Sequence, residues 1–309
     1  MFEIVAEMWI QEKKNYVKPS TTAYYLFVLR KYLLPILGKR PIREISEKDI
    51  QEMVLHWQKN EDRCLKKSTV HNFVTLINQI FKYAEKIGII ENKKMDIQFV
   101  RSGYPVKEKV FTKEEQDRLI RAILDHLNYR TMGILLCLNC GLRIGEICAL
   151  KWGDFDFETG CISISKTIQR VYNALENPKT KIIISSPKTS SSNRVIPLSD
   201  RMLEILSVLG KSKNCKEFEK ENYVLTNQPF YLEPRNYRKF YMNFMQKNNL
   251  PQRNFHSLRH TFATRCIELG GDYKTVSVIL GHSTINTTLN MYVHPRLEEK
   301  RKCIELLSW

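Results

Sequence analysis

The chain lacks any apolar run approaching the roughly 20 residues of a membrane-spanning helix. It also lacks a basic stretch at its start. "MFEIVAEMWIQEKK" places Glu3 and Glu7 ahead of its first lysines, which is not the pattern of a secretory leader. No tandem repeat and no low-complexity tract interrupts it. Cys137 and Cys140 form a C-x-x-C within the apolar run "MGILLCLNC", but no second such pair follows, so a zinc ribbon is not indicated. The eight cysteines read as reduced, mainly buried thiols of a cytosolic protein. Acidic residues are the scarcest relative to their counterparts, 33 against 49 lysines and arginines, for a net charge of +16.

What is present follows from these limits. The chain has 309 residues with 43% hydrophobic and 27% charged, enough for two domains with true cores. A solvated basic surface is the ordinary reading of positive charge. An excess this large, spread along the chain, points instead to a polyanionic partner, nucleic acid foremost. An anionic membrane would call for a basic amphipathic helix or a lipidation motif, and neither is found.

Hydrophobic spacing predicts four helices in the first part: "FEIVAEMWIQEKK", "PSTTAYYLFVLRKYLLPILG", "SEKDIQEMVLHWQKN" with Ser46 as cap, and "KSTVHNFVTLINQIFKYAEKIG" from Ser68 to Gly88. "RSGYPVKEK" reads as a linker, with domains expected at 1–103 and 104–309. "FTKEEQDRLIRAIL" restarts a helix through a Thr112–Glu115 capping box. The second part is mixed. "YRTMGILLCLNCG" is a buried helix closed by Gly141, and "LRIGEICALKW" is the next. "CISISKTIQRV" alternates like a strand, and "KIIISSPKTSSSNRVIPL" reads as a strand pair around "KTSSSN". From Ser199 the pattern is mostly helical. The fold class expected is mainly α with a small antiparallel β-sheet.

"FHSLRHTFAT" is a helix start with an apolar stripe through Leu258, Phe262, Cys266 and Leu269, stopped by Gly270-Gly271. Its first turn nevertheless holds His256, Arg259 and His260. Other polar residues also interrupt apolar structure: Arg143 past Gly141, Lys188 at the strand tip, His282 past "VILG", and Tyr292 in "NTTLNMYVHP". Each alone has an ordinary explanation. Arg143 could cap a helix or pair with Glu146; Lys188 could be a solvated turn lysine. His256 and His282 could be satisfied structural histidines, and Tyr292 a core-edge residue. His256 and His260 have the i, i+4 spacing of zinc ligands, but Ser257 stands where H-E-x-x-H needs glutamate.

Taken in order, "CGLRIGEICAL", "SSPKTSSSNRVIPL", "HSLRHTFAT" and "LGHSTINTTLNMY" resemble the tyrosine recombinase, or phage integrase, family. The resemblance covers essentially the whole chain. It implies a helical, SAM-like core-binding domain and a mixed α/β catalytic domain that together clamp DNA. It implies the catalytic set Arg143, Lys188, His256, Arg259, His282 and Tyr292, with no metal and no cofactor. The chemistry fits those residue types. Cutting a phosphodiester builds charge on two non-bridging oxygens, and guanidinium groups donate paired hydrogen bonds to them. His256 and His282 add donors, and His256 can take the nucleophile's proton. Tyr292, with an ordinary pKa of about 10, needs a cationic pocket to become phenolate. Lys188 can protonate the leaving 5′-oxygen. Glu146, one turn past Arg143, is expected to orient Arg143 or a histidine.

The family further implies a 3′-phosphotyrosyl intermediate, strand exchange through a Holliday junction and a homotetramer on paired sites. A C-terminal tail, "VHPRLEEKRKCIELLSW", has an apolar end that would dock in trans on a neighbouring protomer, as the family's C-terminal segments do, or else on its own domain. Integration or excision of a mobile element, with possible accessory directionality proteins, completes the expectation. The alternative is a catalytically silent DNA-binding regulator derived from a recombinase. Lys66 and Lys67, before Ser68 and Thr69 at a helix N-terminus, are candidate phosphate contacts or a solvated loop. No arm-binding domain of the kind many integrases carry at the N-terminus is visible. The expected location is the cytoplasm, on the nucleoid when active.

Overall fold

Capping chemistry sets several helix starts. The Ser46 hydroxyl accepts from the Asp49 N–H while Asp49 accepts from the Ser46 N–H, and Thr112 and Glu115 do the same. Each such cap contributes about 1 kcal/mol. The computed structural model describes residues 1–60, 64–91, 95–100, 110–172, 180–185, 193–210, 219–292 and 305. They fall into two compact units. One is Met1–Val106 with Arg170–Ile182; the other is Lys107–Gln169 with Ile183–Trp309.

The first unit is built on α1 (Phe2–Lys13), α2 (Pro19–Val28), α3 (Leu34–Leu37), α4 (Glu47–Lys59) and α5 (Lys67–Lys86). Between α2 and α3 the chain makes one wide π-turn, Leu29–Leu33, in which the Leu34 N–H reaches back to the Leu29 carbonyl. Proline at position 35 cannot donate a helical bond and its ring crowds the preceding turn, so a local widening is the usual accommodation. The core joins Phe2, Trp9, Leu33, Ile50, Trp57, Phe73 and Ile77, all buried. Trp57 and Phe73 meet edge-on with ring centres 5.3 Å apart.

The second unit starts with α6 (Lys113–Asp125), α7 (Tyr129–Cys140) and α8 (Ile144–Ala149). α7 is buried almost all round, as a helix apolar on every face must be. Along the chain short strands follow: β1 (Phe155–Asp156), β2 (Cys161–Ile164), β3 (Thr167–Tyr172), β4 (Thr180–Ser185) and β5 (Arg194–Pro197); the end of β3 and the start of β4, within Arg170–Ile182, belong to the first unit. Here the sequence expectation needs correction. The alternating run "CISISKTIQRV" is two strands, not one. Among the described residues, the strands on either side of "KTSSSN" do not pair with each other. β5 pairs antiparallel with β2, Ile196 opposite Ile162, in a three-stranded sheet ordered β1-β2-β5, while β4 pairs with β3 in a separate two-stranded sheet. Among the described residues the small β component is therefore two sheets.

Helices α9 (Asp200–Gly210), α10 (Pro234–Lys247), α11 (His256–Glu268), α12 (Tyr273–Leu280) and α13 (Ile285–Tyr292) complete the unit. In α11 the expected stripe holds only in part: Leu258 is buried, but Leu269 lies past the helix and is 86% exposed. The buried face instead takes Ser257, Arg259, His260 and Thr261. Of the described cysteines, Cys137, Cys140 and Cys148 are buried, Cys161 and Cys266 are intermediate and Cys64 is exposed; all are free thiols. Burial pushes the Cys140 thiol up to about 12, which keeps it from acting as a thiolate. Among the described residues no helix is long and apolar enough to cross a membrane.

Candidate active site

Two helices of the second unit end on left-handed glycines. α7 stops at Gly141 (φ 62°) and α12 at Gly281 (φ 64°). At Gly141 a side chain would be strained twice over, because its Cβ would also lie 2.7 Å from Leu280 Cδ2 and Phe262 Cδ1. A helix C-terminus leaves carbonyls without intrahelical donors and carries the negative end of the helix dipole. Both needs are met here by guanidinium groups. Arg194 Nε donates to the Ile279 carbonyl, Arg259 Nη2 to Leu280 at 2.7 Å, and Arg143 Nη2 to Gly281 at 3.2 Å. Three successive carbonyls at the end of α12 thus hold three arginines. Arg259 Nη1 also donates to the Gly141 carbonyl at 2.8 Å, which ties the end of α7 to the end of α12.

Arg143 sits at the N-cap of α8. Its backbone N–H donates to Glu146 Oε2 at 2.9 Å and its Nη1 to Glu146 Oε1 at 2.8 Å. Both ordinary explanations weighed for Arg143, a helix cap and a Glu146 partner, therefore describe its geometry. Neither conflicts with a role at the surface, since the Arg143 side chain is 37% exposed. Glu146 is almost fully buried and has a second partner. Arg194 faces it with both Nη atoms, at 3.2 Å to Oε1 and 2.8 Å to Oε2. Burial pushes the Glu146 carboxyl up, but the Arg194 hydrogen bonds and the charges of Arg194 and Arg143 outweigh it. The net shift is downward and Glu146 stays ionised.

Arg194 was not singled out from the sequence. The signal was available: in "RVIP" the buried positions are Arg194 and Ile196, so an arginine occupies the inward phase of a strand. A charge in that phase needs a buried partner, and the buried carboxylate is Glu146.

His256 is the first residue of α11 and is exposed, whereas Arg259, one turn on, is 1% exposed. The His256 ring stands edge-on to buried His260, with centres 4.5 Å apart and planes at 87°. His282 follows Gly281, and its Nδ1 shares a 2.8 Å hydrogen bond with the Thr288 hydroxyl. Thr288 is fully buried in α13, one helical turn before Tyr292, the last residue of that helix. The hydrogen bond thus joins His282 to the helix that carries Tyr292. Lys188 and most of the C-terminal tail lie outside the described residues. In the first unit, α5 begins one residue earlier than expected, with Lys66 at the N-cap and Lys67 in the first turn.

His260 and His282 are both lowered to about 4, by burial first and then by neighbouring cations, Arg259 for both and Arg143 as well for His282. The unfolded chain takes up these two protons near the ordinary histidine value of about 6.5, the folded protein only near 4. Stability from this source is therefore complete above pH 6.5 and falls as pH drops toward 4. The buried Glu146 carboxylate, held below its ordinary value by Arg194 and Arg143, adds its own loss only lower, below about 4.5. The melting temperature of the DNA-free protein is expected to decline between pH 6.5 and 5. His282→Asn should flatten part of that decline in a calorimetric pH series. An unchanged slope would remove His282 from the account.

Residues 109–299 match the phage integrase family and residues 2–96 the phage integrase central domain. The chain belongs to the phage integrase family. Among its relatives is "Tyrosine recombinase XerC-like" of Caldanaerobacter subterraneus subsp. tengcongensis. It is 32% identical over 78% of this chain and 66% of its own length. The transposase from transposon Tn916 of Enterococcus faecalis is 28% identical over 86% of this chain and 68% of its own length. The chain therefore spans about two thirds of these relatives. Among solved structures, the Tn1549 transposon integrase in complex with a circular intermediate DNA is 25% identical with a TM-score of 0.79. That match covers 98% of this chain and 99% of the other.

Proposed function

We propose that the chain is a tyrosine-type site-specific DNA recombinase of a mobile element, cleaving and rejoining duplex DNA for integration or excision. One observation carries the reading: Arg143, Arg259 and His282 gather at the end of α12, and Thr288 links His282 to the helix of Tyr292. The match to the integrase family and the net charge of +16 support it.

In this reading Arg143 and Arg259 receive the scissile phosphate. The Tyr292 hydroxyl attacks phosphorus and His256 accepts its proton. The bond to the 5′-oxygen breaks, and that oxygen takes a proton from Lys188. The product is a 3′-phosphotyrosyl bond and a free 5′-hydroxyl. The attacking and leaving groups are both oxygen nucleophiles, so the bond energy is kept and a 5′-hydroxyl can reverse the step without ATP. His282 donates from the ring nitrogen not engaged by Thr288, and such preorganised donors are usually the largest catalytic contribution. Residues 1–103 would form the helical DNA-binding domain, with Lys66 and Lys67 at the start of α5 contacting phosphate, and 104–309 the catalytic domain. A homotetramer on paired sites, tail docking in trans, accessory directionality proteins and action on the nucleoid in the cytoplasm belong to the same reading.

The test needs no prior target sequence. A library of nicked duplexes with random cores is incubated with the protein, and DNA that stays attached after denaturation is recovered and sequenced. Enrichment of one core supports the recombinase. Binding without attachment at any core supports the silent regulator instead.

Lys188 gives a sharper test on the recovered duplex. A 5′-bridging sulfur leaves without a proton. Lys188→Ala is therefore expected to be slow on the normal duplex and near the parent on the 5′-phosphorothiolate. Equal defects on both would show that Lys188 does not protonate the leaving group.

A further inference from the structure

Glu146 is a buried carboxylate shared between two arginines of different exposure. The Arg194 side chain is 2% exposed, lies on β5 and meets Glu146 with two hydrogen bonds. Arg143 is 37% exposed and meets the same oxygens from the pocket side. Arg194 alone also holds the Ile279 carbonyl, one residue before Leu280, which holds Arg259, and two before Gly281, which holds Arg143. Each face of Arg194 thus touches something that seats a pocket arginine.

The charges explain why this matters. A carboxylate buried with one cation binds it as a closed pair, because the low-dielectric surroundings strengthen attraction. A carboxylate buried between two cations divides that attraction. Arg143 is then held in direction by Glu146 without being fully neutralised. A guanidinium needed by a phosphate must be placed and still carry unspent positive field.

We propose that Arg194 is a positioning residue for the strand-cleavage reaction: it shares the charge of Glu146 and pins the end of α12, so that Arg143 faces the scissile phosphate. This rests on the recombinase reading above. The Arg194 side chain itself is buried. Without it, Arg143 closes onto Glu146 and the α12 terminus loses one of its three anchors.

The experiment is a double-mutant cycle on the captured duplex, read as the single-turnover cleavage rate at saturating DNA. Arg194→Lys keeps a buried cation but loses the two-pronged contact, so it is the main variant. Arg194→Met with Glu146→Gln, which removes both buried charges, serves if the lysine variant is unstable. Arg194→Lys is expected to lower cleavage by ~10–10²-fold, the range met when a group that orients a ligating residue is lost. DNA affinity should stay near the parent. Combined with Arg143→Ala it should add almost nothing, because the two act through one group. Combined with Lys188→Ala its effect should multiply. A merely structural arginine would multiply with both, and that outcome overturns the proposal.

A second readout does not depend on cleavage. In arginine-labelled DNA-free protein, the Arg143 Nε–H resonance is expected to shift in Arg194→Lys, while that of Arg40, paired with Asp49 in the first unit, stays put. An unmoved Arg143 resonance overturns the proposal even if no duplex is ever captured. A parent protein that attaches to no DNA while Arg143 does shift would instead sink the recombinase reading and leave the positioning geometry standing.

Discussion

The Tyr292→Phe protein is expected to bind the captured duplex as the parent does and never to become attached to it. That is the largest effect expected of any single atom in the chain. Phenylalanine keeps the ring and the helical propensity of the position, so α13 and its Thr288 link to His282 are undisturbed. What is lost is the oxygen proposed to attack phosphorus. The adduct should vanish on a denaturing gel, and peptide mapping of the parent adduct should find the DNA on the α13 peptide. Chelation of divalent metal should leave the parent adduct unchanged. Attachment by Tyr292→Phe, or attachment only with added metal, would falsify the assignment. Binding, by contrast, should fall steeply with salt in both proteins. A surface with a net +16 binds polyanions largely by releasing counterions.

Much of the helical framework was legible in the sequence because helices are local. Ser46, Thr112, Gly141 and Gly281 mark helix ends within a few residues, and the structure uses each in that way. The β part was less legible for the opposite reason. Alternation along "CISISKTIQRV" says that a strand has two faces, not which strand it pairs with. The pairing of Ile162 with Ile196 bridges more than thirty residues, so the chain leaves β2, builds a second sheet with β3 and β4, and returns. The Leu269 error was of helix length. Leu269 keeps the angular phase of Leu258 and Phe262 at about 100° per residue, but α11 has already ended at Glu268.

The candidate site divides in the same way. Its side chains were legible as polar residues set into apolar segments. Their supports were not. No pattern of residue types announces that the carbonyls of Ile279, Leu280 and Gly281 will seat three arginines, because every residue has a carbonyl. Only the end of α12, brought against β5 and the end of α7, makes those three special. Arg194 was hidden by its neighbours. "SSNRVIPL" draws the eye to a turn and a strand, and the buried partner Glu146 stands far back in the chain.

Arg143→Ala and Arg259→Ala are each expected to lower cleavage at saturating DNA by at least ~10²-fold, as loss of a transition-state donor does. The two should differ in everything else. Arg143 is partly exposed, and its removal leaves Glu146 still paired with Arg194, so stability should change little. Arg259 is buried, and its removal strips the donor from the Gly141 and Leu280 carbonyls at once. Each buried group left unpaired costs about 1–3 kcal/mol, so Arg259→Ala should melt several degrees lower. That loss could mimic a catalytic one, and Arg259→Lys separates them. Lysine keeps the positive charge and can still reach one carbonyl, but it lacks the planar fork that meets two phosphate oxygens. If Arg259 works through that fork, Arg259→Lys regains much of the stability and little of the cleavage. If it works only by its field, or only by tying α7 to α12, the lysine variant recovers both together. Cleavage within about threefold of the parent in Arg143→Ala, or in Arg259→Lys, would remove that arginine from direct contact with the phosphate.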